Sequence, residues 1–132
     1  MAFKIEISSQ YREQVIDVTD KVNQVIAEAQ VTSGICYLFI PHTTCAVTIN
    51  EGFDPDVAAD ILAHLNSVVP RAKTYRHQEG NADAHIKSVL VGSSISVPIE
   101  GRRLALGQWQ RVLVCEFDGP RRRRLNISVI AT

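Results

Sequence analysis

The 132-residue sequence predicts one α+β domain over residues 1–132, a curved antiparallel sheet or sandwich with two to three helices packed on one side. Two observations lead there. Segments with the two-residue period of half-buried strands stand both before and after segments with helical period. No internal repeat or linker divides the chain, and its length suffices to bury a core without disulfides or structural metal.

"FKIEIS" places Phe3, Ile5 and Ile7 on one face and Lys4 and Glu6 on the other, the pattern of a half-buried strand. A second short strand is expected at "QVIDV". "TDKVNQVIAEAQ" carries Val22, Val25, Ile26 and Ala29 at helical spacing behind a Thr19 or Asp20 cap and predicts a helix to about Gln30. "SGICYLFI" is a continuous apolar run between Gly34 and Pro41, which predicts a central strand buried on both faces. After the "PHTT" corner, "CAVTIN" alternates again and ends at Asn50-Glu51.

In "GFDPDVAADILAHLNSVV", Asp54 is the expected N-cap, Pro55 suits the first helical position and Asp56 suits the positive end of the helix dipole. Val57, Ile61, Leu62 and Leu65 would face the sheet, and Pro70 ends the helix. A polar loop from Arg71 to Gly80 leads to "NADAHIKSVLV", a short helix expected to be capped by Asn81 and ended by Gly92. "SISVPIE", "RVLVCEF" and "LNISVI" complete the strands. Trp109, between Gln108 and Gln110, reads as a core anchor.

Lysine plus arginine and aspartate plus glutamate number 14 each, so there is no global field to draw nucleic acid or an anionic membrane surface. Cys36, Cys45 and Cys115 lie in apolar runs without C-x-x-C spacing and read as small buried hydrophobes of a reducing compartment. No stretch reaches membrane-spanning length and the opening residues alternate, so the expected location is cytoplasmic, with neither membrane nor nucleic acid as partner.

Chemistry concentrates in "RHQEGNADAHIKS". His77 and His85 are eight residues apart, which on one continuous helix would separate them by roughly 12 Å. Gly80 and Asn81 allow the loop to fold back over the helix start, and His42 sits in the "PHTT" corner, so three histidines can converge with an open coordination position. His64 shares a helix face with Asp60 and Asp56, normally a solvated face. In "GPRRRRLNISVI", Arg121, Arg122, Arg123 and Arg124 alternate if extended, so at most two point one way. They form either a charged soluble edge or a pair of guanidinium forks for phosphate.

Together "PHTTCAVTINE", "DPDVAAD", "EGNADAHIKS", "SSISVPIEGRRLALGQWQRVLVCEFD" and "GPRRRR" resemble the YjbQ-type family, also called secondary thiamine-phosphate synthases, nearly end to end. The resemblance implies a jelly-roll-like α+β fold, a homotrimer and a cytoplasmic protein. It also implies a polar cluster at His42, Asn50, Glu51, Asp60, His77 and His85, with Ser88 and the arginines after Gly119 close by and Trp109 in support. The implied reaction joins a hydroxymethylpyrimidine diphosphate to a thiazole phosphate, giving thiamine phosphate and pyrophosphate. Three functions are expected to compete. The first is that transferase, with His42, His77 and His85 holding a divalent metal (zinc, manganese or magnesium) and Arg121–Arg124 gripping phosphate. The second is a metal-dependent hydrolase with Glu51 or Asp60 as general base and Asn50 beside them. The third is a non-catalytic trimeric ligand-binding module.

Overall fold

The computed structural model describes residues 1–132. The strands are β1 (Ala2–Ser8), β2 (Gln14–Asp17), β3 (Ser33–Phe39), β4 (Cys45–Glu51), β5 (Ser94–Glu100), β6 (Arg103–Leu104), β7 (Gln110–Glu116) and β8 (Arg122–Ala131). The helices are α1 (Thr19–Ala29), α2 (Pro55–Val68) and α3 (Ala82–Val91). Five strands form one antiparallel sheet in the order β1-β8-β3-β5-β6, and three form a second in the order β2-β7-β4. The α+β sandwich expected from the alternating strands is therefore the fold, in a single unit. No helix is long and apolar enough to cross a membrane.

The core between the sheets is built by inward-facing residues of both, among them Cys36, Leu38, Val47, Val97, Val112, Val114, Leu125 and Ile127. Val22 and Ile26 of α1 enter the same cluster, as their spacing predicts. The small sheet is also covered on its outer face, where Ala46, Cys115 and Phe117 meet Ala84 of α3. The strand enclosed on both sides is thus β7, whereas β3 alternates: Cys36 and Leu38 are buried while Ile35, Tyr37 and Phe39 face outward. The apolar run of β3 was misleading because periodicity cannot tell a second buried face from an exposed apolar one.

Helix ends also depart from expectation. Neither Thr19 nor Asp20 caps α1; the Asp17 carboxylate accepts from the Thr19 N–H at 2.9 Å, while the Thr19 hydroxyl accepts from the Val112 N–H. Asn81 holds the N-cap position of α3 as expected, but its side chain makes no cap hydrogen bond and its amide instead donates to Asp118 at 2.8 Å. Asp54 does cap α2, accepting from the Asp56 N–H, with Pro55 in the first turn. Yet α2 buries no residue fully: Leu62 and Leu65 are half-buried against the outer cluster, and Val57 and Ile61 line a shallow surface recess. Trp109 is 59% exposed, so it is not a core anchor. All three cysteines are free and buried.

A buried ionic cluster fixes α3. The Lys87 ammonium, with no exposure, donates to Glu13, Asn66 and Asp83 at 2.9, 2.6 and 2.8 Å. The Arg12 guanidinium forks onto the same Asp83 carboxylate. Burial raises the Asp83 pKa, but the hydrogen bonds and charges of Lys87 and Arg12 outweigh it and hold the carboxyl below its usual range. One lysine therefore ties α3, α2 and the β1–β2 loop together.

Candidate functional site

Pro41 and the following turn end the apolar run of β3 and place His42 in the wall of a cavity of about 380 Å³. His85 and Ser88, one helical turn apart on α3, supply the facing wall with Val89; Thr43, Cys45, Gly92 and Ser93 complete it. The Ser88 hydroxyl donates back to the Ala84 carbonyl. The walls are fixed to each other because the Val47 N–H donates to the Gly92 carbonyl and the Ile40 N–H to the Ser93 carbonyl.

His42 is oriented by β8, since its Nε2 accepts from the Arg124 backbone N–H at 2.9 Å. The neutral ring consequently carries its proton on Nδ1. Burial lowers the His42 pKa, the Arg123 and Arg124 charges lower it further, and Glu116 partly opposes them. Burial likewise pushes the Cys45 thiol up to about 12, so it enters the cavity wall as a neutral thiol and not as a nucleophile.

His77 approaches from the polar loop, as the glycine and helix start allow. Its ring stands edge-on to that of His85, with centroids 5.1 Å apart. Tyr75, Arg76, Ala82 and Ile86 line a second recess with this pair. His85 is thus shared between two surfaces, facing His42 across one and His77 across the other. One chain does not gather three His, Cys, Asp or Glu side chains as ligands for a single ion. The His42 Nε2 is engaged by Arg124, so the donor set as it stands does not fit a three-histidine centre.

The four arginines separate as strand alternation requires. Arg123 points inward and is buried, its guanidinium forked onto Glu116 and donating to Thr44; it holds structure and faces no ligand. Arg121 is tied to Asp118. Arg122 and Arg124 are exposed, Arg124 beside His42.

The remaining predicted residues lie elsewhere in the chain. Asn50 and Glu51 close β4 at the end opposite Cys45, roughly 20 Å along the strand. Glu51 Oε2 accepts from the Phe53 and Asp54 N–H groups, and Asn50 Oδ1 accepts from the Glu51 N–H. Asp60 is exposed on α2 beside His64, which is exposed as its helix face suggested. Trp109 stands near Glu51, because Glu51 pairs with Gln110 across β4 and β7. Sequence reasoning missed Thr43, Cys45 and Ser93 as cavity walls. The only available signal was their adjacency to the "PHTT" corner and to Gly92.

Comparison with known proteins agrees over the whole chain. The family described as "UPF0047 protein YjbQ-like" matches residues 3–132. The UPF0047 protein MJ1081 of Methanocaldococcus jannaschii is 43% identical over 98% of this chain and 94% of its own. The UPF0047 protein YugU of Bacillus subtilis is 43% identical over 96% of each. Among solved structures, an uncharacterized YjbQ/UPF0047 protein of Clostridium acetobutylicum superposes with a TM-score of 0.94 at 43% identity, covering 97% of this chain and 99% of that one. A YbjQ-like protein of unknown function from Sulfolobus solfataricus gives a TM-score of 0.95 at 27% identity, covering 100% and 97%. With the sequence, the fold and the length all in register, the chain belongs to the YjbQ-like UPF0047 family.

Proposed function

We propose that the cavity between the His42 corner and α3 binds a phosphorylated small molecule, and that the chain acts as a transferase of the thiamine-phosphate synthase kind. The observation that carries this reading is the meeting of His42, His85 and Ser88 at one cavity, with the backbone N–H of Arg124 on His42 and the side chains of Arg124 and Arg122 free of carboxylate partners. In the reaction, the bond between the pyrimidine methylene and the diphosphate oxygen breaks. The thiazole nitrogen forms a new bond to that methylene, and pyrophosphate leaves with the electron pair. Exposed guanidinium forks suit the departing pyrophosphate, and the Nδ1–H of His42 and the His85 ring suit its oxygens.

The metal is carried in this proposal only as an ion that a diphosphate would bring or that the His77–His85 pair would share with a further donor, and no step depends on it. Glu51, Asp60 and Asn50 do not line this cavity, and Asn50 and Glu51 stand at the end of β4 opposite Cys45. The hydrolase reading therefore requires a second copy to present them.

Self-association has its own support, which keeps the homotrimer in the proposal. Val89, Leu90 and Val68 are exposed on α3 and α2, and Ile35, Tyr37, Phe39 and Ile130 are exposed across β3 and β8. Apolar surface of that extent normally has a protein partner.

The test is direct. The purified chain is given the pyrimidine diphosphate and the thiazole phosphate with magnesium, and thiamine phosphate is measured by mass spectrometry. His85→Asn should abolish product and weaken pyrophosphate binding by calorimetry, with the fold retained. Pyrophosphate binding without product would leave a binding module; absence of both would remove the phosphate reading.

A further inference from the structure

We infer that two copies of the chain join edge to edge through β1, in an antiparallel two-fold contact centred on Ile5 that merges their large sheets into one. β1 ends the order β1-β8-β3-β5-β6 and has β8 as its single partner. At one end of that ladder Met1 exchanges backbone hydrogen bonds with Val129, and at the other the Ser9 N–H donates to the Arg121 carbonyl. Ladder bonds alternate along an antiparallel strand, so Phe3, Ile5 and Ile7 bond to β8, while Ala2, Lys4, Glu6 and Ser8 point their N–H and C=O groups away from it. No loop or turn supplies those outward groups with a backbone partner.

An edge strand is normally defended by short length, proline, a bulge or charges that repel an incoming strand. At the far side of the same sheet β6 has two residues, whereas β1 has seven and contains neither proline nor bulge. Its exposed charges, Lys4 and Glu6, are of opposite sign, and neither has an ion-pair partner within the chain. In a two-fold antiparallel pairing centred on Ile5, Lys4 lies opposite the partner's Glu6 and Glu6 opposite the partner's Lys4. Both residues belong to the outward set, so each pair closes two backbone hydrogen bonds and brings opposite charges together on one face. Slipping the register by two residues either way sets Lys4 against the partner's Lys4 or Glu6 against the partner's Glu6. The charges therefore select this register and oppose its neighbours.

The flank below the edge suits the same contact. Phe3 and Ile5 are half-buried and, with Lys21, Gln24, Val25 and Glu28 of α1, line a groove of about 450 Å³ beside β1. A second β1, roughly 4.8 Å away across the new ladder, sets its own Ile5 against Ile5 and takes their open sides out of water. The α1 wall carries one charge of each sign, Lys21 and Glu28, so it does not repel its own copy. A two-fold contact of this kind closes on itself and cannot generate a trimer; combined with a three-fold contact it gives a pair of trimers back to back.

The contact does not depend on the phosphate reading, because none of its residues lines the His42–His85 cavity. Sedimentation velocity of the full chain tests it, with Lys4→Glu, Glu6→Lys, the two exchanged together, and Lys4→Pro. The parent should form an even-numbered assembly. Lys4→Glu turns both attractive pairs repulsive and should weaken the two-fold contact roughly tenfold or more, shifting the population toward odd-numbered species, and Glu6→Lys should do the same. The double exchange restores opposite signs in every pair and should recover the assembly. Lys4→Pro removes an N–H that β8 does not use and should also separate the copies, with circular dichroism confirming that each variant folds. If Lys4→Pro does not fold, the charge exchanges decide alone. A parent that is only monomer or trimer up to about 100 μM overturns the contact and leaves the edge to a strand of another protein. An even-numbered assembly that Lys4→Glu leaves intact, or a double exchange that stays dissociated, overturns it as well.

Discussion

Replacing Lys87 by methionine removes one ammonium and leaves three acceptors behind. Asp83 is almost fully buried and keeps only Arg12; Asn66 loses the donor at 2.6 Å that joins α2 to α3 and keeps only its own donation to Glu13; Glu13 loses its ion pair. Breaking a buried pair by deleting one partner costs about 3–5 kcal/mol, since the remaining charge is neither solvated nor compensated. Methionine fills the space, so the loss is electrostatic. For a domain of this size that corresponds to a fall in Tm of roughly 10–20 °C. The damage should also be local: α2, with no fully buried side chain, should lose amide protection before α1 or the sheets do. The Asp83 carboxyl titrates below the usual aspartate range, so its stabilisation is present above that range and is lost as pH falls through the lowered folded-state value. With Lys87 gone the folded-state pKa rises, because burial then acts against fewer compensating partners, and acid unfolding should begin at higher pH. Urea titration at pH 7 and pH 4 with hydrogen exchange measures all of this. A variant within about 1 kcal/mol of the parent, with α2 protection intact, would refute the claim that Lys87 binds the three segments together.

Gly34→Ala should destabilise by about 3 kcal/mol or more, because a Cβ there overlaps the Ile130 carbonyl across the β3–β8 pairing and neither backbone can yield cheaply; thermal melting checks it. Arg124→Lys should weaken pyrophosphate binding roughly tenfold through loss of the fork, whereas Arg123→Lys should lower Tm instead, since that guanidinium serves Glu116 and Thr44; calorimetry and melting together separate the two roles. His42 has a folded-state pKa below the usual 6.5, so its contribution to stability is present above pH 6.5 and is lost as pH falls through the lowered value; His42→Asn should flatten that part of the stability profile. Titration with zinc, manganese and magnesium should lose affinity in His77→Ala and His85→Ala, with His64→Ala as the unaffected control, and equal binding by all three variants would remove metal from the proposal.

What could be read in the sequence, and what could not, divides along a physical line. Alternation in "FKIEIS" and "CAVTIN", and Asp54-Pro55 at a helix start, are local signals that the chain obeys at those positions. The failures are tertiary. Asp17 takes the capping role from Thr19 because the Thr19 hydroxyl is claimed by Val112, more than ninety positions away. Asn81 turns from its helix to Asp118, and Arg123 is drawn inside by Glu116; neither partner is visible from neighbouring residues. Within the site, glycine and loop polarity made the meeting of His77 and His85 legible, and the "PHTT" corner gave His42. That His85 would be shared between two surfaces follows only from where α3 rests on β4. Trp109 misled because "LGQWQ" contains no sign that its loop ends outside the sandwich.

The position of β8 has a consequence for how the chain reaches this state. It lies between β1 and β3, so that Ala2 is paired with Ser128 and Gly34 with Ala131. On a ribosome, β1 has no partner and β3 only β5 until β8 is released between them. Both then have to hold exposed edges through most of synthesis, the condition under which strands pair with the wrong chain. Such long-range pairing also places folding toward the slow end for a domain of this length. Joining the two sequence ends through a short linker and opening the chain in the Arg71–Gly80 loop would deliver β8 just before β1. Such a permuted chain would form the centre of its large sheet from strands that are neighbours in synthesis.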